Sequence, residues 1–152
     1  VFVNTVKVQS AKDMYDAVIE RADSMDIIVK AAAVADYRPK NVSSEKVKKQ
    51  DGNMSIELER TDDILKTLGE RKNGQFICGF SMETENMLEN SRKKLEKKNC
   101  DMIVANNLKQ DGAGFGGNTN IVTIITKDDE VQLEKMTKDE VAEKIFDFIL
   151  SR

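Results

Sequence analysis

The chain has 152 residues, of which 39% are apolar and 34% charged, and its 24 basic and 27 acidic side chains give a formal net charge of −3. This length predicts a single domain, residues 1–152, with a proper hydrophobic core, and the charge balance argues against a general nucleic-acid-binding protein. The sequence contains no histidine, which excludes a Ser-His-Asp or Cys-His nucleophile system and zinc bound through histidine.

Three further features predict a cytoplasmic protein. No apolar run approaches the roughly 20 residues that span a bilayer, so we expect no membrane association. No basic start followed by an apolar segment indicates a signal peptide. The two cysteines, Cys78 and Cys100, lie at the margins of predicted strands, and we expect both to be buried free thiols in a reducing compartment.

Strand and helix patterns alternate from the start of the chain. Residues 5–9 alternate apolar and polar side chains like a strand. Ser10 and Asp13 form a capping box that begins a helix, and apolar residues continue at helical spacing to Ala22. The continuous apolar run at residues 26–34 is typical of a strand buried on both faces of a parallel sheet.

A long polar segment follows this run. Residues 36–53 contain the only proline and are predicted to form a long functional loop. Residues 55–60 alternate as a further strand. Thr61 or Asp62 is expected to cap a short helix that ends at about Glu70.

The second half of the chain is predicted to contain a buried strand at residues 75–80, a charged helix at 85–98 and another buried strand at 101–105. A glycine-rich loop at 111–119 precedes the two strands of a hairpin, 120–126 and 130–135, and a capped final helix covers 137–150. The alternation of strands and helices predicts an α/β fold of three layers. We expect a Rossmann-like, largely parallel sheet with helices on both faces and a C-terminal antiparallel hairpin.

Three polar segments follow predicted strands, where open α/β sheets bind ligands. They are residues 31–39, the basic loop 46–49 and the stretch 105–120. On their residues alone, a surface aspartate after a tightly packed strand and a solvated charge cluster explain the first two better than a binding site does. The stretch G-A-G-F-G-G formally contains G-x-G-x-x-G, but a strand follows it instead of a helix, so we reject it as a dinucleotide fingerprint.

Six motifs occur in order along residues 5–126: A-A-A-V-A-D-Y-R-P, K-V-K-K, T-D-D-I-L, G-F-S-M-E-T-E-N, D-M-I-V-A-N-N and G-F-G-G-N-T-N. Together they resemble the phosphopantothenoylcysteine synthetase family, the carboxyl-terminal part of bacterial DNA/pantothenate metabolism flavoproteins. The resemblance implies a ligase of coenzyme A biosynthesis that joins 4′-phosphopantothenate to L-cysteine through an acyl-cytidylate, using CTP and Mg²⁺ and releasing CMP and pyrophosphate. It also implies a homodimer, and FMN only if a flavin-dependent decarboxylase domain is fused upstream or acts as a partner.

The resemblance also implies site residues, by their match to positions of the family. The expected nucleotide contacts are Asp36, Lys46, Thr61, Asp62, Asp63, Ile64, Phe80, Lys94 and Lys98. The expected acyl-substrate region is Ala31, Ala32, Ala33 and Asn106. Lys46 and Asn106 are the expected catalytic residues, and no metal ligands are identified. A flexible flap is expected at Gly114, Phe115, Gly116, Gly117, Asn118, Thr119 and Asn120.

The resemblance has two departures and leaves two alternatives. Thr-Asp-Asp-Ile stands where the family usually has Asn-Pro-Asp-Ile, and the family's first strand and Gly-rich turn have no counterpart after Val1. We therefore expect sequence upstream of Val1, and we expect this chain alone to fold but not to turn over. A non-catalytic nucleotide-binding homologue is disfavoured because Asp36 and Lys46 are both present. An NAD(P)-dependent oxidoreductase is disfavoured because neither tyrosine is followed four residues later by a lysine.

Overall fold

The computed structural model describes residues 2–48, 51–83, 85–107 and 117–151. Within these ranges the chain forms four helices: α1 Ala11–Ala22, α2 Ile64–Arg71, α3 Met87–Lys97 and α4 Lys138–Leu150. The same ranges contain nine strands: β1 Ile27–Lys30, β2 Tyr37–Pro39, β3 Leu58–Arg60, β4 Phe76–Glu83, β5 Met102–Asn107, β6 Thr119–Asn120, β7 Val122–Thr126, β8 Glu130–Gln132 and β9 Met136–Thr137.

Five of the strands form one sheet in the order β1-β4-β5-β7-β8. Strands β1, β4 and β5 run parallel, β7 pairs antiparallel with β5, and β8 pairs antiparallel with β7 as the outer strand of the hairpin. Two antiparallel ribbons, β2-β3 and β6-β9, lie outside this sheet. The sheet confirms the predicted α/β fold with its parallel part and its closing hairpin.

Helices cover both faces of the sheet, which confirms the three layers. One apolar cluster joins the sheet to α1, α2 and α3: Ala22, Ile64, Leu65, Leu68, Ile77, Leu95, Cys100 and Ile103. The other joins the sheet to α4: Cys78, Met102, Val104, Val122, Ile124, Val141, Ile145 and Ile149. Neighbouring residues of a strand belong to different clusters because side chains of a strand point alternately to the two faces.

Both predicted capping boxes are present. The Ser10 hydroxyl accepts a hydrogen bond from the Asp13 amide at 3.1 Å, and the Asp13 carboxylate accepts one from the Ser10 amide at 2.9 Å. Thr137 and Glu140 make the same pair of bonds at 3.2 and 2.8 Å. The starts of α1 and α4 are therefore confirmed, each satisfying amides that an uncapped helix leaves without partners.

The first predicted strands differ from the structure. Residues 5–9 form no strand, because none of the described strands lies beside them to share backbone hydrogen bonds. β1 covers only Ile27–Lys30 of the predicted strand 26–34, and residues 31–35 leave the sheet. The expectation of burial on both faces is also wrong, since β1 is the outer strand of the described sheet and Val29 is 37% exposed.

The predicted functional loop at residues 36–53 contains a strand. β2 pairs antiparallel with β3, and β3 itself spans only Leu58–Arg60 of the predicted 55–60. Ion pairs cross between the two sides, from Arg38 to Glu59 and from Lys40 to Glu57, each at 2.7 Å. We call β2, β3 and the described residues between them the ribbon. The sequence pattern did not predict the ribbon, because the paired residues of β2 and β3 are about 20 positions apart and their pairing does not show in the sequence around either strand.

Several other boundaries move by a few residues. Asp63, not Thr61 or Asp62, caps α2, through a hydrogen bond from the Lys66 amide at 2.9 Å. α3 begins at Met87 instead of residue 85, after Asn86 with a φ of 48°. β4 and β5 extend beyond their predicted ends because they remain paired as far as Glu83 and Asn107.

The glycine-rich region can be compared only in part. Residues 111–116 of the predicted loop 111–119 lie outside the described residues. Thr119 and Asn120, expected in the flap, form β6, which pairs with Met136 and Thr137 of β9. β7 consequently begins at Val122 instead of residue 120, and β8 ends at Gln132 instead of residue 135.

Candidate functional site

A cavity of about 740 Å³ opens at the carboxyl ends of β1, β4 and β5. Most of the site residues expected from the sequence line it: Ala31, Ala32, Ala33, Asp36, Thr61, Asp62, Asp63, Ile64, Phe80, Lys94, Lys98, Asn106 and Asn120. These residues come from six separate stretches of the chain, which the strand order of the sheet brings together. Ligands of open α/β sheets bind in this position.

Two polar turns are joined at one side of the cavity. The Thr61 amide donates to the Asp36 carbonyl at 3.0 Å, and the Thr61 hydroxyl donates to the Ala35 carbonyl at 2.5 Å. These bonds hold the turn that follows β1 beside the turn that precedes α2. Thr61, which departs from the usual motif of the resembled family, therefore has a structural role of its own in this chain.

Lys94 of α3 and Lys98, which caps the end of this helix, reach the cavity from the same side, as their spacing of four residues predicts. The Lys94 ammonium donates to the Phe80 carbonyl at 2.8 Å. The Lys98 ammonium forms an ion pair with Asp63, and the Lys98 side chain is only 17% exposed. Both cationic groups are thus held at the cavity wall by neighbouring elements, which limits the freedom they lose when an anion binds.

Close packing between helices positions Lys98. A Cβ atom on Gly69 of α2 would lie 1.9 Å from the Lys98 carbonyl oxygen, so only glycine fits at this position. The Asn99 side chain donates to the Gly69 carbonyl at 2.9 Å. The end of α3 is therefore fixed against α2, whose capping residue Asp63 is the partner of Lys98.

The Asp63 carboxylate is kept ionised by its neighbours. Burial acts against the charged form, but hydrogen bonds from Lys98 and from the Lys66 amide, with the positive charges of Lys98 and Lys30, hold the pKa of Asp63 below its ordinary value. An ionised Asp63 both caps α2 and neutralises Lys98. The ion pair therefore holds the Lys98 ammonium group at the wall of the cavity.

Asn106 of β5 presents a buried polar atom to the cavity. The residue is 6% exposed, and its Oδ1 atom has no hydrogen-bond partner among the described residues. Buried amide oxygens are nearly always hydrogen-bonded, by protein, water or ligand. The Asn106 oxygen is therefore suited to accept a hydrogen bond from a donor group bound in the cavity.

Two groups of expected residues are not gathered at the cavity. Lys46 does not line it and lies exposed on the ribbon. Of the expected flap, Gly114, Phe115 and Gly116 lie outside the described residues, and Gly117, Asn118 and Thr119 do not line the cavity. Thr119 is paired in β6, and the Asn118 carbonyl accepts the Lys138 amide at 2.9 Å.

The cavity also contains residues that the sequence reasoning missed. They are Lys30, Val34, Leu65, Met82, Lys138, Val141, Ala142 and Ile145. Two of them carried a signal. Lys30 interrupts an apolar run, and Lys138 places a positive charge in the first turn of α4, where the helix dipole disfavours it. The apolar residues of α4 show the spacing of any core-facing helix, so nothing local marked them.

Three further features of the described residues concern the cysteines, the metal-binding side chains and the lengths of the helices. Cys78 and Cys100 are free, as predicted, and burial raises their pKa values to about 12 and about 11, which removes thiolate character at neutral pH. Among the described residues no group of three or more metal-binding side chains is present. None of the described helices is long and apolar enough to cross a membrane.

Comparison with known proteins identifies relatives along the whole chain. The family model described as the DNA/pantothenate metabolism flavoprotein C-terminal domain matches residues 1–152. The coenzyme A biosynthesis bifunctional protein CoaBC of Bacillus subtilis (strain 168) is 56% identical over 123 residues, covering 81% of this chain and 30% of that protein. A cysteine/cysteine sulfinic acid decarboxylase from an unknown prokaryotic organism is 44% identical over 151 residues, covering 98% of this chain and 42% of that protein.

A solved structure agrees with these relatives. The crystal structure of the C-terminal domain of a CoaBC protein has a TM-score of 0.78 and 47% sequence identity to this chain. The match covers 97% of this chain and 64% of that structure. The chain thus spans 30% and 42% of the length of the two curated relatives and about two thirds of the solved domain.

Proposed function

Because the chain belongs to the family of the DNA/pantothenate metabolism flavoprotein C-terminal domain, we propose that it is a ligase domain of coenzyme A biosynthesis that joins 4′-phosphopantothenate to L-cysteine. The observation that carries this proposal is the cavity. It combines cationic groups suited to phosphates with a buried amide oxygen that has no donor among the residues the structure describes. The identity of 56% to the Bacillus subtilis CoaBC protein over most of the chain supports the same assignment.

The proposed reaction has two steps. A carboxylate oxygen of 4′-phosphopantothenate attacks the α-phosphorus of CTP, the bond to the bridging oxygen breaks, and pyrophosphate leaves with that electron pair, so that an acyl-cytidylate forms. The L-cysteine ammonium loses a proton to solvent, and its amine nitrogen attacks the acyl carbon. The bond between that carbon and the phosphate oxygen breaks, CMP leaves with that electron pair, and the nitrogen loses a second proton to solvent, which leaves the neutral amide.

The cavity residues fit the first step by position and charge. Nucleotidyl transfer requires positioning and neutralisation of phosphate charge more than covalent catalysis. Lys94 and Lys98 contact the triphosphate, and for Lys98 a phosphate oxygen replaces the Asp63 carboxylate. Asp36, the turn at residues 61–64 and Phe80 hold the rest of the nucleotide.

The small side chains of residues 31–33 leave room for the acyl substrate, because alanine allows close approach of a ligand to the backbone. Asn106 Oδ1 then accepts a hydrogen bond from the cysteine amine and orients its lone pair towards the acyl carbon. This role explains why the Asn106 oxygen is buried near the end of β5 without a hydrogen-bond partner among the described residues.

Magnesium fits the cavity through phosphate oxygens and one or two carboxylates, which is its usual coordination at nucleotides. Asp36 and Asp62 line the cavity and offer such oxygens. When bound, the ion supplies neutralisation of the developing phosphate charge.

The proposed activity is tested by supplying the full-length protein with CTP, Mg²⁺, 4′-phosphopantothenate and cysteine and measuring pyrophosphate and the amide product by mass spectrometry. We expect cysteine-dependent product with CTP and much less with ATP. Without cysteine, a single turnover should still release pyrophosphate and leave the acyl-cytidylate. Absence of product with every nucleotide contradicts the ligase assignment, and equal rates with ATP contradict the choice of CTP.

We propose that the chain forms a homodimer through the ribbon. Six apolar side chains of the ribbon are between 51% and 84% exposed: Tyr37, Val42, Val47, Met54, Ile56 and Leu58. A two-stranded ribbon has little stability alone, and a second copy would bury these side chains and bring Lys46 to the cavity of the partner. Analytical ultracentrifugation of the full-length protein at micromolar concentration tests this assembly, and a monomer there contradicts it.

A flavin-dependent decarboxylase with FMN, fused upstream or acting as a partner, completes the proposal. The amide product keeps the cysteine carboxylate, which such an enzyme can remove. One relative is named as a cysteine/cysteine sulfinic acid decarboxylase, and this chain covers 42% of its length. Flavin absorbance of the purified full-length protein tests for a fused domain.

A further inference from the structure

Lys30 is the last residue of β1 and lines the cavity from the outer strand of the described sheet. Its side chain is half-buried, and its ammonium group turns back to donate to the Ala32 carbonyl at 2.8 Å. A lysine at the end of an edge strand usually extends into solvent, since the ammonium group is strongly hydrated. The Lys30 ammonium is instead held at the cavity wall.

Lys30 and Lys94 differ from Lys98 in the partners of their ammonium groups. Lys98 has a carboxylate partner, Asp63, whereas the hydrogen bonds described for Lys30 and Lys94 go to the neutral carbonyls of Ala32 and Phe80. Burial lowers the pKa of Lys30, and the positive charge of Lys94 lowers it further, while Asp63 and Asp36 act in the opposite direction. Two ammonium groups that repel each other across a cavity are both stabilised by one anion placed between them.

We infer that Lys30 is a phosphate-binding residue of this cavity and contacts, together with Lys94, the same phosphate group of a substrate; this inference rests on the proposed function. A phosphate group carries close to two negative charges and three acceptor oxygens, so it can satisfy both ammonium groups at once. The phosphate belongs either to the nucleotide or to the acyl substrate. Removal of the Lys30 charge distinguishes the two, because only the substrate that carries this phosphate then binds more weakly.

The test uses three variants of the full-length enzyme. Lys30→Met removes the charge and keeps the length of the side chain, Lys30→Arg keeps the charge, and Lys66→Met is a control at an exposed lysine of α2 that does not line the cavity. KM is measured separately for CTP, 4′-phosphopantothenate and cysteine. Binding of CTP, CMP and inorganic pyrophosphate is measured by calorimetry.

For Lys30→Met we expect KM to rise at least about tenfold for one phosphate-bearing substrate, with KM for cysteine unchanged. Lys30→Arg should restore most of the affinity, and Lys66→Met should behave as wild type. If the phosphate is that of the nucleotide, CTP and pyrophosphate bind more weakly while CMP does not. If it is that of the acyl substrate, the variant loses its discrimination between 4′-phosphopantothenate and pantothenate.

Two results overturn the inference. One is an unchanged KM for both phosphate-bearing substrates in Lys30→Met. The other is an equal loss for all three substrates that Lys30→Arg does not restore, which indicates that Lys30 only supports the strand. Turnover by the wild-type enzyme tests the proposed ligase activity separately, and the pyrophosphate and CTP titrations report on Lys30 even if that activity is absent.

Discussion

The two sides of the proposed site are built in different ways. Lys98 and Asp63 stand on helices that pack on the core, and Gly69 of α2 lies directly against the Lys98 carbonyl. Lys46 stands on the ribbon, whose apolar side chains are exposed and whose ion pairs join only its own two sides. The packing of this chain alone places the first pair of residues at the cavity. Lys46 requires a further contact, which we assign to the second copy of the proposed dimer.

The largest expected effect comes from Lys46→Ala. Because Lys46 is exposed on the ribbon, its loss should change the free energy of unfolding by no more than about 0.5 kcal/mol. Loss of a lysine directed at phosphate charge should lower turnover about 100-fold or more. Steady-state kinetics and urea denaturation of the full-length enzyme measure the two quantities, and Lys48→Ala, two residues away, is the matched control. Near-normal activity of Lys46→Ala would remove Lys46 from the site.

Mixed dimers sharpen this prediction. If Lys46 serves the partner's cavity, a heterodimer of Lys46→Ala and Lys94→Ala contains one complete site and should regain up to about half of the wild-type activity, as expected for two independent sites. The two inactive variants are co-expressed with different affinity tags, and the mixed dimer is purified and assayed. If Lys46 acts within its own chain, both sites of the mixed dimer lack a lysine and no activity returns.

Gly69→Ala should disrupt the side of the site that is formed by Lys98 and Asp63. The added methyl group would overlap the Lys98 carbonyl oxygen, so α2 and α3 must separate, at a cost of about 1–3 kcal/mol in the free energy of unfolding. The affinity for CTP should fall as well, because Lys98 and Asp63 move with the two helices. Urea denaturation and calorimetry measure these changes. A variant with wild-type stability would show that this contact does not hold the helices together.

Asp63→Asn should measure how much the ion pair between Asp63 and Lys98 contributes to stability. Asparagine caps helices about as well as aspartate, so the change removes mainly the ion pair with Lys98, and we expect a loss of up to about 1 kcal/mol near neutral pH. The folded-state pKa of Asp63 is lowered from 3.8. The stability supplied by its charge is therefore complete above the ordinary carboxyl range and disappears as the pH falls through the lowered value.

The difference in unfolding free energy between wild type and Asp63→Asn should consequently be constant near neutral pH and vanish in acid. Urea denaturation as a function of pH measures it, with Glu70→Gln, an exposed carboxylate on the same helix, as the control. A difference that persists unchanged in acid would show that the lost stability does not come from the charge.

The smallest effect on the free energy of unfolding is expected for a substitution on the ribbon, Met54→Ser. Met54 is 72% exposed, so Met54→Ser should change the unfolding free energy of the monomer by less than about 0.5 kcal/mol. The same change should weaken the dimer, because it removes apolar surface from the proposed interface. Sedimentation equilibrium separates the two effects. Unchanged dimer affinity would exclude Met54 from the interface.

The sequence by itself determined the elements whose causes are local. The capping boxes at Ser10 and Thr137 could be predicted because each joins residues only three positions apart. The buried strands β4 and β5 were predicted from apolar runs, and the closing hairpin of β7 and β8 from its short turn. Asp36, Lys94 and Asn106 were named from the family resemblance, and the structure brings all three to one cavity.

Only the tertiary structure decided which residues meet. Asp63 and Lys98 are 35 residues apart in the chain. The sequence around either residue does not indicate that the two form an ion pair. Lys30 reaches the cavity because β1 lies at the edge of the described sheet, and Lys46 does not reach it because β2 and β3 carry it away. Capping and periodicity depend on neighbours within a turn or a strand, whereas the composition of a cavity depends on strand order and helix packing, which arise only when distant segments share one core.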